Sequence, residues 1–393
     1  MILKRLFAFV VLFVIFGSVL VLGEGDSPMV EAHGAILMDA ATGRVLWEKN
    51  SREPLAMAST TKIMTAVLAL EQGRMDDVVT VSKRAAAAAR VKMYLQPGEE
   101  ISLGGLLYAL MMQSSNDAAV AIAEHISGSV EAFCAAMTAK AAELGATDTI
   151  FETPNGLDAG NHQSTAYDMA LIARYALSNT MFLEIINTAH KTVTSSRTTY
   201  SISNKNRLLH EFEGANGVKT GFTNKAGHCF VGSAKRDDMQ LISVVFASGW
   251  GQRGKEQKWV DTKRILNYGF DNFEYEVIIN EGDLAGELSI LRSKTATVPL
   301  EYSDGIMLPL CESDKAKIEV IIDIPPDMLA PVAENQVIGE AQVSVGGVQY
   351  ATIPILATQG AARHDLKTSL EKVLKQFLQL GSNTEINITL PEF

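Results

Sequence analysis

A chain of 393 residues with 47% hydrophobic and 20% charged side chains has an ordinary globular composition, and its length predicts two domains. The net charge of −11 argues against a nucleic-acid partner, which selects a basic face. Three scattered cysteines (Cys134, Cys229 and Cys311) supply neither a disulfide framework nor a zinc site, and the histidines show no metal spacing, so no metal or other cofactor is expected.

Met1 to Arg5 is a short positive leader before an apolar run from Leu6 to Leu22, and Gly23 to Ser27 offer small or polar residues for cleavage. Residues 1–23 therefore read as a secretory signal, placing the rest outside the cytoplasm, with an uncleaved anchor as the alternative. Residues 31–50 read as a hairpin, because Ala35 to Met38 and Val45 to Trp47 are apolar runs separated by the turn signal Asp39 to Arg44. Beyond Pro54, the residues Ile63, Ala66, Val67 and Leu70 recur at the spacing of a buried helix face. That places Ser59 at a helix N-terminus and Lys62 one turn on. A serine hydroxyl needs a base to become a nucleophile, and a desolvated lysine with a lowered pKa can serve. Unpaired N–H groups at the helix start would face a developing oxyanion. The plainer alternative for Ser59 is a helix cap.

Ala85 to Ala89 predicts a helix, Gln96 to Glu100 a loop, and Leu103 to Met112 a buried helix. Gln113-Ser114-Ser115-Asn116-Asp117 then interrupts apolar sequence before a helix through Ile126. Polar groups in such a setting are costly unless they face a cleft or cap a helix, and Ser114 and Asn116 suit either role. A polar loop from Phe151 leads to a helix from about Ala166 to Leu177, and Cys134 and Cys229 read as buried thiols. Gly214 to Thr223 reads as a turn followed by a strand, in which Lys219 and Thr220 suit a carboxylate and Gly221 permits close backbone approach. Gly227 to Ala234 and Leu241 to Phe246 complete an antiparallel sheet. From about Glu274 to Ala357 the pattern changes to short alternating strands, such as Lys317 to Ile324 and Gln342 to Val345 with a turn at Gly346-Gly347. Between Arg363 and Leu380, Leu366, Leu370, Val373, Leu374, Phe377 and Leu378 form one helical stripe opposite Lys372 and Lys375. That stripe suits a bilayer surface, or packing on the β module. The second Ser-x-x-Lys match, Ser369 to Lys372, belongs to this amphipathic pattern and is not a catalytic candidate.

Ser59-x-x-Lys62, Ser114-x-Asn116 about 55 residues on, and Lys219-Thr220-Gly221 about 105 beyond that are individually common and jointly rare. Their order and spacing resemble the penicillin-recognising serine acyl-transferases. Within that group the chain resembles the low-molecular-weight penicillin-binding proteins, D-alanyl-D-alanine carboxypeptidases. The likeness extends through Asn155-Gly156-Leu157-Asp158, Ala166-Tyr167-Asp168-Met169-Ala170 and the β-rich second part. It implies an α/β (α+β) serine β-lactamase/DD-peptidase-like domain over 28–271, its antiparallel sheet flanked by helices. A small all-β C-terminal domain over 274–360 and a membrane-anchor helix over 363–380 would follow. It also implies roles. Ser59 would attack the penultimate D-Ala carbonyl, Lys62 would take its proton, Ser114 would relay a proton to the leaving amine, and Asn116 would bond Lys62 or the substrate amide. Lys219 and Thr220, beside Gly221, would hold the terminal carboxylate, and the backbone N–H groups of Ser59 and Phe222 would form the oxyanion hole. The implied partners are the peptidoglycan pentapeptide, β-lactams and the outer face of the cytoplasmic membrane. Two departures stand out: Ser115 replaces a common glycine, and the basic residue of the last helix is represented by Lys258, after an insertion around Trp250 to Gly254. The competing readings are a class A-like β-lactamase, with Glu152 as the acid nearest a suitable place, and a non-catalytic wall scaffold.

Overall fold

In the computed structural model, residues 27–364 and 366–379 are described, and the expected signal at 1–23 lies outside them. The larger part is built on five antiparallel strands in the order Val45–Lys49, Gly34–Asp39, Met239–Phe246, Gly227–Arg236, Ala215–Thr223. Helices cover both faces, so the inner strands are buried along most of their length instead of alternating. Ile36 and Met38 point to the larger core, with Ile63, Val67 and Met169, while Ala35 and Leu37 point to the other. There the 22-residue helix Gly251–Asn272 brings Trp259 and Leu266 onto Phe230 and Leu241. The helix Ala166–Leu177 starts where the sequence places it, capped by Thr165, whose hydroxyl accepts from the Asp168 N–H.

Three local expectations shift. The alanine run is helical only over Lys83–Ala86. The carbonyls of Ala89 and Arg90 instead accept hydrogen bonds from the Asn116 side chain at 3.1 and 3.0 Å, so a tertiary contact overrides alanine's propensity. The run from Leu103 splits into Leu103–Tyr108 and a π-helical turn, Ala109–Gln113, that ends at Ser114. A hairpin of His190–Thr194 and Thr199–Ser203, polar and half exposed, was not expected.

Beyond Phe273, Glu274–Ile279 pairs with Ile306–Leu310, and six further strands form a mostly antiparallel sheet. The alternating segments fall as read: Ile318–Asp323 pairs with Val337–Val345, which turns at Gly346-Gly347 into Val348–Ala357. One helical turn, Glu312–Lys315, interrupts this β region. Its Asp314 receives Arg44 from the first hairpin at 2.7 Å, and Arg44 also donates to the Pro309 carbonyl. The Tyr275 hydroxyl donates to Asp39 at 2.7 Å beside them. These contacts tie the two parts together. The last helix, Leu366–Gln379, leaves Leu370, Val373 and Leu374 exposed, and no single helix among the described residues is long and apolar enough to cross a membrane.

Candidate active site

Ser59 sits in a 3₁₀ turn, Ala58–Thr61, that leads directly into the helix Lys62–Gln72. Ala58 has φ +48°, a conformation that a residue with a Cβ adopts only at some cost. The Lys62 side chain is fully buried beneath the turn, with Nζ 2.9 Å from Ser59 Oγ and 2.8 Å from Asn116 Oδ1. Nζ also donates to the Asn155 carbonyl. Burial drives the Lys62 pKa well below the ordinary lysine value; the nearby charge of Lys219 acts in the same direction and Asp117 opposes it. A neutral amine has two N–H groups and one lone pair. Asn116 Oδ1 and the Asn155 carbonyl can only accept, so when the Lys62 amine is neutral they take its two N–H groups and leave the lone pair to the Ser59 hydroxyl proton. The arrangement is that of an activated nucleophile and its base.

Asn116 is oriented by its own amide, since Nδ2 donates to two carbonyls and Oδ1 is thereby turned to Lys62. Asp117 fixes the loop beside it, accepting from the N–H groups of Met93, Tyr94 and Leu95 at 2.9–3.1 Å. Ser114, at φ +68° after the π-helical turn, lines the same cleft as Ser59 and Thr220. Ser115 is buried, and its hydroxyl has no hydrogen-bond partner among the described residues. The residue that departs from the expected glycine is thus the one whose side chain does nothing polar.

The cleft of about 460 Å³ is closed on its other side by the edge strand Ala215–Thr223. Gly221 faces the nucleophile turn, where a Cβ would come within 2.9 Å of Ser59 N, so only glycine allows the approach. Lys219 is buried with Nζ donating to the Thr220 carbonyl at 3.0 Å, and burial, assisted by the charge of Lys205, lowers its pKa to about 7. Phe222 is half exposed and stacks on His228 with ring centroids 4.4 Å apart. Lys258 does line the cleft, its pKa lowered to about 8 mainly by burial, and its Nζ donates to the Lys255 carbonyl. Lys205, Arg207 and Lys255 join it, making the wall strongly cationic, although Glu211 and Glu256 each pair with Arg207 at 2.7 Å.

The structure therefore brings together Ser59, Lys62, Ser114, Asn116, Lys219, Thr220, Gly221 and Phe222. Sequence reasoning missed the Asn155 carbonyl, Arg207 and Lys255. Glu152, the acid considered for a β-lactamase, is exposed and accepts from the Asn161 N–H at 3.1 Å. Cys134 and Cys229 are buried free thiols, as read.

Comparison with known proteins agrees with this geometry. The D-alanyl-D-alanine carboxypeptidase family matches residues 24–249, and the penicillin-binding protein 5 C-terminal domain matches 273–363. The carboxypeptidase DacF of Bacillus subtilis is 32% identical over 88% of this chain and 89% of its own. DacC of Escherichia coli is 32% identical over 85% of each chain. Penicillin-binding protein 5 from Haemophilus influenzae superposes with a TM-score of 0.72 at 29% identity, covering 86% of this chain and all of that one. The match along nearly the whole length identifies the chain as a member of the D-alanyl-D-alanine carboxypeptidase family, the serine-type peptidases.

Proposed function

We propose that the protein removes the terminal D-alanine from peptidoglycan pentapeptide stems through an ester on Ser59. The observation that carries this reading is the fully buried Lys62 amine 2.9 Å from the Ser59 hydroxyl, with Asn116 and Asn155 occupying its other hydrogen-bonding directions. Ser59 loses its proton to Lys62 and bonds to the penultimate carbonyl carbon. The negative charge on that oxygen is met by the backbone N–H groups of Ser59 and Phe222. Ser114 passes a proton to the departing D-alanine nitrogen as the C–N bond breaks, and water then hydrolyses the ester. Lys219 and Thr220 hold the terminal carboxylate, within a wall made cationic by Arg207, Lys255 and Lys258. Benzylpenicillin, which presents a similar carboxylate and acyl carbon, acylates the same serine.

Intact mass after mixing with benzylpenicillin tests the reading. A long-lived adduct on Ser59, together with D-alanine release from a pentapeptide, is expected. An adduct that vanishes as penicillin is consumed would favour a β-lactamase, and a folded sample that forms none would remove the proposal. We propose also that catalysis occupies 28–271, outside the cytoplasmic membrane where the substrate lies, and that 274–360 is a separate β domain. The helix Leu366–Gln379 rests on lipid, a reading supported by the exposure of Leu370, Val373 and Leu374. Co-sedimentation with anionic vesicles that persists after the helix is deleted would count against it.

A further inference from the structure

His162 lies outside the motifs, is 3% exposed, and directs its ring nitrogens to Thr61 and Glu152 and not to Ser59 or Lys62. Its ring is held edge-on to Phe151, and its two nitrogens have unequal partners. The backbone N–H of Glu152 can only donate, and it meets Nδ1 at 3.0 Å. Nδ1 therefore carries the lone pair and Nε2 the proton. Nε2 is 2.9 Å from the Thr61 hydroxyl, which in turn donates to the Ala58 carbonyl at 2.8 Å. The hydrogen bonds thus all run in one direction, from Glu152 N–H through His162 and Thr61 to Ala58.

Ala58 is the residue at positive φ, and its carbonyl is the other half of the peptide that contains the Ser59 N–H. In a planar trans peptide those two groups point in opposite directions, so fixing the oxygen aims the N–H. The oxygen is confined from a second side by Gly156, at φ +82°, where a Cβ would fall 2.0 Å from it. Gly156 and His162 belong to the same loop. We infer that His162 is a positioning residue for the oxyanion hole: through the Thr61 hydroxyl it fixes the Ala58–Ser59 peptide plane and so the direction of the Ser59 N–H. This rests on the reading of Ser59 as nucleophile. No proton leaves or enters His162 during the reaction, and its ring stays neutral throughout.

The test compares acylation by benzylpenicillin, and kcat and KM on a D-Ala-D-Ala peptide, in four variants of the full chain. His162→Phe keeps a ring without donors, and Thr61→Val keeps the shape without the hydroxyl. Each should slow acylation and lower kcat by about 10- to 100-fold at nearly constant KM, the scale for a misaimed stabilising group. The double variant should be no slower than the slower single. His162→Gln, whose amide offers one acceptor and one donor, and Thr61→Ser, which keeps the hydroxyl, should recover most of the rate. Losses in the two singles that multiply in the double would overturn the relay, as would a wild-type rate in Thr61→Val. If His162→Phe does not fold, the Thr61→Val and Thr61→Ser pair decides the matter alone. Wild-type protein that is never acylated would indict the nucleophile, whereas normal wild-type acylation with unaffected variants would indict only His162.

Discussion

The Ser59 cleft and the β-rich region beyond Phe273 treat polar groups in opposite ways. Around the cleft, Lys62, Asn116, Asp117 and Lys219 are all buried. In the β region the consecutive aliphatic residues Val320, Ile321 and Ile322 lie exposed on an edge strand, and the apolar core is divided among separate clusters. The difference follows from layering. A sheet covered on both faces excludes enough water to push a lysine pKa well below its ordinary value, whereas a thin sheet with open edges cannot. Chemistry that depends on a neutral amine at ordinary pH therefore belongs in the thicker part of the molecule. Among the described residues the β region contributes one buried charge, Asp314, which pairs with Arg44 of the other part.

The contrast can be broken from either side. The largest effect is expected from Ser59→Ala, which should cut penicillin acylation by a factor on the order of 10⁴ or more while leaving the circular dichroism spectrum unchanged. Retained labelling would move the nucleophile elsewhere. Next is Asp314→Ala, which strands the Arg44 guanidinium in a buried site and should cost roughly 3–5 kcal/mol of stability in urea melts. Acylation by the folded fraction should stay normal, because the pair is no part of the cleft; a parallel loss would mean that the β region shapes catalysis. Third is acid sensitivity of the loop. Burial lowers the His162 pKa from 6.5 to about 4. The unfolded chain therefore binds a proton that the native state refuses between those values. Stability is full above pH 6.5 and falls as pH drops toward 4, by at most about 3 kcal/mol. His162→Gln should flatten that part of the curve of stability against pH.

Much of this was legible in the sequence, for a specific reason. The roles proposed for Ser59, Lys62, Ser114, Asn116 and Lys219 rest on side chains whose types are informative, and these stand at a spacing that joins weak signals. The strands at Gly34–Asp39 and Met239–Phe246 were legible as apolar runs because both sheet faces are covered. The Asn155 carbonyl was not legible, since any residue has one and only the loop's path aims it at Lys62. The relay through His162 was equally hidden, because a lone histidine in a polar loop has no periodicity or partner spacing to betray it. Arg207 and Lys255 reach the cleft from separate elements, which only the tertiary fold brings together. The hairpin at His190–Thr194 and Thr199–Ser203 lacked the apolar alternation that marks a half-buried strand. The short Lys83–Ala86 helix shows the reverse failure, a strong local propensity cut short by hydrogen bonds from a side chain distant in sequence.

The smallest expected effect is the most direct test of burial as the organising variable. Lys219 has a pKa lowered to about 7, so in the free enzyme it holds its proton below that pH and loses it above. In the proposed mechanism carboxylate recognition needs that proton, whereas Lys62 must be without one. For a peptide with a free C-terminal carboxylate, kcat/KM should therefore fall on the alkaline side of pH 7, by about fivefold between pH 7 and 8 for a single proton. The fall belongs to the free enzyme, because a bound carboxylate favours the charged lysine and holds its proton on. It should thus appear in kcat/KM and be weaker in kcat. A substrate amidated at its C-terminus binds poorly at every pH and should show no such limb. Lys219→Arg, permanently charged, should erase the limb even if its bulk lowers the overall rate. An alkaline limb that survives this substitution would assign the titration to another group, with Lys258, whose pKa is lowered to about 8, the first to substitute next.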